Sequence, residues 1–257
     1  MNDVLERRFA AMGARVSLPD RPWRGAPRID VARGGFDIRF AGSGSEVDVE
    51  VIDVLPRDRH LLLLVRDGEE KSKFLCGHDE RHWFVAAIPE SARGVTGVTT
   101  AKIALQPDPV KQLIAQVKPK DRFRRRNEAY VRQGEWFFVP ATLEPEPDAS
   151  HVRRNEPLTR GRGKAHVMQH AVRRGGRVVY ASRQNPAGAI SEASFRRLSD
   201  AERTRGAWTQ FVQDPEVYAK GHVRHPDHAT VHLATWHRVH MNTEQGARAM
   251  RHVAFLD

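Results

Sequence analysis

Apolar residues along this chain gather into short strings and alternating runs far more often than into helical stripes. Near the amino terminus Val4, Leu5, Phe9 and Met12 recur at helical spacing and Gly13 follows them, which predicts a short helix over residues 2–12. Residues 17–45 are rich in Pro, Gly and Arg and read as loop, with one strand near 36–40. From Glu46 onward Val47, Val49, Val51 and Val54 interleave with acids, the pattern of a half-buried strand. Leu61, Leu62, Leu63, Leu64 and Val65 then form an unbroken string, which suits a strand buried on both faces. Asp67-Gly68 is a hairpin turn, and strands over 73–77 and 82–88 complete an antiparallel meander.

Further along, Asp108-Pro109 supplies an N-cap and a first-turn proline. Val110, Leu113, Ile114 and Val117 share one helical face, and Pro119 ends the helix. Residues 134–140 read as a strand. Strands over 166–172 and 177–182 flank Arg174-Gly175-Gly176, a predicted hairpin turn. The segment 191–205 reads as helical, with a capping box at Ser199-Asp200-Ala201-Glu202. Strands over 221–225 and 228–234 flank Pro226-Asp227, another follows at 236–241, and 243–256 reads as a closing helix. The sum is an α+β fold of predominantly antiparallel β-sheets with a few short helices.

Glu144-Pro145-Glu146-Pro147-Asp148 favours an extended, solvated backbone. Residues 142–155 are therefore expected to link an N-terminal β-rich module (1–141, with one or two helices) to a C-terminal basic, His-rich α+β module (156–257). Hydrophobic content of 40% and a mean hydropathy of −0.58 over 257 residues suit a water-soluble protein with a real core. No apolar run approaches the roughly 20 residues that span a bilayer, so no membrane partner is expected. Arg7 and Arg8 interrupt any secretory leader. Cys76, the single cysteine, cannot form an internal disulfide, so a cytoplasmic location is expected.

Charge changes the picture. Residues 111–206 hold 21 Lys+Arg against 10 Asp+Glu, a local net of +11, whereas the flanking stretches are close to neutral. A field confined in this way attracts a polyanion. Lys118, Lys120, Arg122, Arg124, Arg125 and Arg126 form one cluster, and Arg160, Arg162 and Lys164 a second. All nine are candidate phosphate or base contacts, and the arginines can do both. Phe123, Tyr130 and Trp136 lie close to the first cluster as possible stacking faces. No helix-turn-helix, zinc-finger or basic-zipper pattern occurs, so RNA is favoured over DNA as the partner. The leading expectation is a nucleic-acid-binding protein.

The histidines offer an alternative, a nuclease or phosphodiesterase. Six of the 13 lie between His222 and His240. If Pro226-Asp227 is a two-residue turn, His225 and His228 are cross-strand neighbours, with Asp227 available to orient them or share a metal. His237 and His240 on the next strand point to opposite faces, so at most one can join; His237 completes the candidate set. Such a group could hold Zn²⁺ or another divalent metal and activate water, or could work metal-free as an acid–base pair. Cys76, His78 and His82 form a second candidate zinc set, or a site for a histidine-activated thiol. Against that reading, a lone cysteine is usually a small buried hydrophobe. Glu69-x-Lys71 with Asp53 or Asp58 echoes the Asp…Glu-x-Lys arrangement of metal-dependent nucleases, but it falls on the Asp67-Gly68 turn. A third class is a structural subunit of a ribonucleoprotein or multi-protein assembly, with a protein partner.

Overall fold

A computed structural model describes residues 2–18, 28–39, 47–160, 163–185, 188–246 and 253–254. Arg162 lies outside them. The valine alternation and the leucine string fold as expected, into a four-stranded antiparallel meander of β4 (Val47–Leu55), β5 (His60–Asp67), β6 (Glu70–Asp79) and β7 (His82–Ala87). Before it come α1 (Asn2–Ala11), β1 (Arg15–Ser17), β2 (Arg28–Ala32) and β3 (Gly35–Arg39). Leu61, Leu63 and Val65 face Phe9, Phe36 and Ile38, while Leu62 faces the other way onto α2 (Val98–Ala104). Both faces of β5 are covered, which is why its apolar run has no polar interruption.

The helix α2 has no signal of its own in the local sequence. Its N-cap residue is Gly97, which carries no side-chain acceptor; instead Asp53 on β4 accepts a hydrogen bond from the Val98 N–H at 2.8 Å. The cap is tertiary. The predicted proline-led helix follows as α3 (Asp108–Ile114), and its Val110 and Ile114 pack on Tyr130 and Phe137.

The remaining elements are β8 (Val131–Gln133), β9 (Trp136–Pro140), β10 (Arg153–Leu158), β11 (His166–Arg174), β12 (Arg177–Ala181), β13 (Ile190–Ser191), α4 (Glu192–Arg196), α5 (Asp200–Gly206), β14 (Thr209–Gln213), β15 (Glu216–His225), β16 (His228–Met241) and β17 (Val253–Ala254). Six of these strands form a second sheet in the order β10-β11-β15-β16-β9-β8, with Phe138, Met168 and Leu233 in its core cluster. A smaller sheet, β13-β12-β14, is inserted between β11 and β15, and β1-β3-β2-β17 completes the set. All pairings are antiparallel except β1–β3 and β2–β17. The α+β, mostly antiparallel architecture is therefore the one expected. Among the described residues no helix is long and apolar enough to cross a membrane.

Several local expectations are corrected. Residues 142–155 are mostly exposed, as expected, but they do not form a free linker. Leu143 is buried against Val172, Tyr218 and Trp236, the Trp236 indole donates to Glu146 at 3.0 Å, and Arg174 donates to the carbonyls of Glu144 and Pro145. Strands from both sides of this segment share the six-stranded sheet, so a module boundary here would cut a sheet in two. Arg174-Gly175-Gly176 is not a hairpin turn either, because β11 and β12 belong to different sheets and the chain crosses between them. The two strands expected at 228–234 and 236–241 are one 14-residue strand, β16. The closing helix is replaced by a short 3₁₀ turn (Thr243–Gly246) and β17, while 247–252 and 255–257 lie outside the described residues.

Candidate metal centre in the cavity between the sheets

A cavity of about 1090 Å³ lies between the meander and the six-stranded sheet, and the histidine turn opens onto it. The predicted register is present: His225 pairs with His228 across Pro226-Asp227. A third histidine joins them. Strand β11 runs antiparallel to β15 with Val167 opposite Arg224, which brings His166 beside His225. The rings of His166 and His225 stack with centroids 4.1 Å apart, and His228 lies 4.8 Å from His225. One ring nitrogen from each residue falls within 4.8 Å of the other two, and this is the group of metal-ligating side chains found among the described residues.

The turn between β8 and β9 shapes the floor of the site. The Gln133 amide donates to the carbonyls of Val223 (3.2 Å) and Ala229 (2.7 Å), clamping the two strands that carry His225 and His228. Gly134 sits at φ +58°, and a Cβ there would stand 3.0 Å from His228 Nε2 and 3.4 Å from His166 Nε2. The missing side chain leaves room for both imidazoles. Glu135 lines the same cavity, and its negative charge favours protons on His225 and His228.

Around this core lies a ring of charges. Glu80 accepts from the Ala229 N–H at 2.7 Å, lies 3.6 Å from His228 Nδ1 and pairs with Arg125. Asp79 pairs with Arg125 and Arg132. Burial alone would raise the Asp79 pKa, but the two guanidinium groups outweigh it and hold the carboxyl below its usual range. Asp227 is hydrogen-bonded by Lys164 at 3.0 Å, which holds its carboxyl low as well, and its N–H donates to His225 Nδ1 at 3.1 Å.

Burial dominates the imidazoles. It pushes His166 down to about 3, helped by the neighbouring His225 and His228, and it also lowers the pKa of those two. All three are therefore neutral at pH 7, the form that binds a metal. His166 is 2% exposed, and its Nε2 has no hydrogen-bond partner. A buried, unpartnered polar atom costs about 1–3 kcal/mol unless a ligand satisfies it. His225 accepts the Asp227 amide at Nδ1 and so carries its proton on Nε2; an ion reaching it must displace either that proton or the amide.

The other predicted sites fare differently. His237 is not part of the centre: it lies farther along β16, opposite Ala219 and Pro140, and its Nδ1 is 2.8 Å from the Thr235 carbonyl oxygen. Cys76, His78 and His82 do not form a ligand set. Cys76 is fully buried in the core, where burial pushes its thiol up, and His78 packs edge-on against Trp83. His82 pairs with Asp79, one residue out of step with Cys76 and His78, so it points to the opposite face.

The basic candidates are mostly engaged. Arg122 donates to the carbonyls of Ala115 and Val117, Arg124 pairs with Asp121, and Arg126 donates to the His232 carbonyl. Arg125, Arg160 and Lys164 are bound to acids, whereas Lys118 and Lys120 are exposed. Tyr130 and Trp136 are buried, and Phe123 lines the cavity.

No protein family matches the chain, and no curated protein or solved structure is detectably similar to it. The geometry alone carries the functional argument.

Proposed function

We propose that the protein is a metal-dependent hydrolase, with a zinc-like divalent ion held by His166, His225 and His228. One observation carries this reading: three neutral imidazoles come together at a cavity, and two of them, His166 at Nε2 and His228 at Nδ1, bury a ring nitrogen with no hydrogen-bond partner. Three protein nitrogen ligands with an open fourth position is the make-up of a catalytic rather than a structural zinc site. Such an ion supplies Lewis acidity and brings the pKa of water to about 7. Glu135, which lines the cavity, is the candidate proton acceptor, and Glu80 lies 3.6 Å from His228 Nδ1, beyond hydrogen-bond distance. The substrate class that fits the sequence is a phosphoester, which makes the enzyme a nuclease or phosphodiesterase. The lone buried cysteine keeps the expectation of a cytoplasmic setting.

Metal analysis tests the centre. Chelator-treated wild-type protein titrated with Zn²⁺, Co²⁺ or Mn²⁺ is expected to take up one ion per chain. His166→Ala, and His225→Ala combined with His228→Ala, should each remove that uptake. Wild-type protein that binds none of the three ions, or a His166→Ala protein that binds as well as wild type, would sink the reading.

A second reading follows the charge: the basic middle holds the phosphates of single-stranded RNA. Its support is the sequence bias and the exposure of Lys118 and Lys120 just beyond α3. The ion pairs described above weaken the field on which it depends. Log affinity for a single-stranded oligonucleotide is expected to fall with log salt by about 0.7 for each phosphate contact. A flat salt response excludes this reading. A structural role in an assembly with a protein partner would show as co-purification without hydrolysis.

A further inference from the structure

The face of the six-stranded sheet that turns away from Met168, Ala219, Val223 and Leu233 carries a run of cations and imidazoles. Side chains alternate along a strand, and residues paired directly across two strands share a face. Register therefore sets Arg154, His170 and Lys220 side by side across β10, β11 and β15. His222 stands beside His232 across β15 and β16, with ring centroids 4.8 Å apart, and Arg224 follows on the same face. Arg154, His222, Arg224 and His232 are exposed, and His170 and Lys220 are half-buried.

Arg125, Arg160 and Lys164 are each held by an acid; none of these six residues is, among the described residues. Glu156 on β10 is taken by Arg153 and Arg173, and Glu146 at the margin accepts from the Trp236 indole. Lys220 lies over the Trp236 ring, and Arg224 donates to the neutral Asn155 amide oxygen at 2.8 Å, so both keep their full charge. Polar groups are interleaved with the cations. Gln169 Oε1 accepts from the His222 backbone N–H at 2.9 Å and lies 3.0 Å from His222 Nδ1. An amide oxygen only accepts, so the ring proton sits on Nδ1 and Nε2 presents a lone pair. The NH₂ groups of Asn155 and Gln169 have no partner among the described residues.

We propose that this face of the sheet binds single-stranded RNA. Four strands carry it, so it spans three inter-strand spacings, about 14 Å. Phosphodiesters meet the cations, unpaired bases lie on the exposed imidazole rings, and base edges or 2′-hydroxyls use the amides and the His222 lone pair. A polyanion with acceptors alone would leave that lone pair unused, and a duplex would keep its bases from the rings. The proposal rests on the RNA reading for its partner, but it places the contact on the sheet and not on Lys118 and Lys120. It is independent of the hydrolase reading.

The test is fluorescence anisotropy of a short labelled single-stranded RNA titrated with the full chain, in chelator so that no metal-dependent cleavage shortens the probe. Binding is expected, with log affinity falling against log salt at a slope of about −2, from about 0.7 for each of Arg154, Lys220 and Arg224. Arg154→Gln should weaken binding by about tenfold. Lys220→Gln combined with Arg224→Gln should weaken it by at least about tenfold and flatten the slope by about 1.4. His222→Ala should weaken it about fivefold or more through lost stacking. The circular dichroism spectrum of each variant should match wild type. If these variants bind like wild type while Lys118→Gln combined with Lys120→Gln loses binding, the proposal is overturned and the RNA reading stands. A wild-type protein that binds no RNA overturns both. A DNA oligomer of the same sequence bound as tightly, or phosphatidylserine vesicles bound where RNA is not, overturns the assignment to RNA.

Discussion

A Gly134→Ala protein is expected to fold and to fail to take up the divalent ion proposed for His166, His225 and His228. The backbone there is left-handed at φ +58°, which costs a non-glycine residue about 1–2 kcal/mol. The added methyl would stand 3.0 Å from His228 Nε2, so that ring must retreat by a few tenths of an ångström, and 3.4 Å from His166 Nε2, the edge of ordinary contact. Metal–nitrogen bonds of about 2.0–2.1 Å tolerate displacements of about 0.2 Å. The stability penalty is modest, but the ligand geometry is pushed beyond that tolerance. Zinc uptake should fall at least tenfold while the far-ultraviolet spectrum is retained. If Gly134→Ala takes up one tight zinc ion, His166 and His228 do not share it.

Lowering the pH from 7 to 5 is expected to remove about 3–4 kcal/mol of stability from the metal-free protein. Burial and its two histidine neighbours hold His166 at about 3, and burial with the adjacent Lys102 holds His60 at about 4. Both values lie below the ordinary 6.5 that the unfolded chain shows. Between those limits the unfolded state binds more protons. The stabilisation is therefore complete above about pH 6.5 and drains away as pH falls toward the folded values. Each pH unit below 6.5 is worth about 1.4 kcal/mol per group, hence about 2 kcal/mol for each histidine at pH 5. Urea unfolding at the two pH values measures the difference. His166→Gln should roughly halve the pH dependence, and a difference under about 1 kcal/mol in wild type would mean that these imidazoles titrate normally.

What the sequence disclosed, and what it hid, follows from the range of each interaction. The leucine string announced a strand covered on both faces because burial leaves its mark on consecutive residues. The His225–His228 pairing was legible because a two-residue turn sets its own register. His166 was not, since its place beside His225 depends on β11 pairing with β15 some 60 residues later in the chain. The same holds for α2, whose cap comes from Asp53, and for the prolines at 145 and 147, whose segment is held down by Trp236 and Arg174. Glu80 sits in an unremarkable polar turn and Gln133 at the end of the short strand β8, and only the fold gives them the histidine hairpin to hold. Gly134 alone left a local trace, a glycine at the edge of an aromatic strand, where a bulge or a close approach is the usual cause. The charge bias was legible as a number but not as a surface, because side chains distant in sequence supply many of its counter-ions.

The strand order of the large sheet has a consequence for synthesis. The hairpin β8–β9 finds its neighbour in the sheet only at β16, so Phe138 must wait until roughly 100 further residues have left the ribosome. At about 5–20 residues per second that interval lasts about 5–20 seconds. The nascent chain thus displays an aromatic ribbon with an open edge until then, and it cannot assemble the histidine cluster until translation has passed His228.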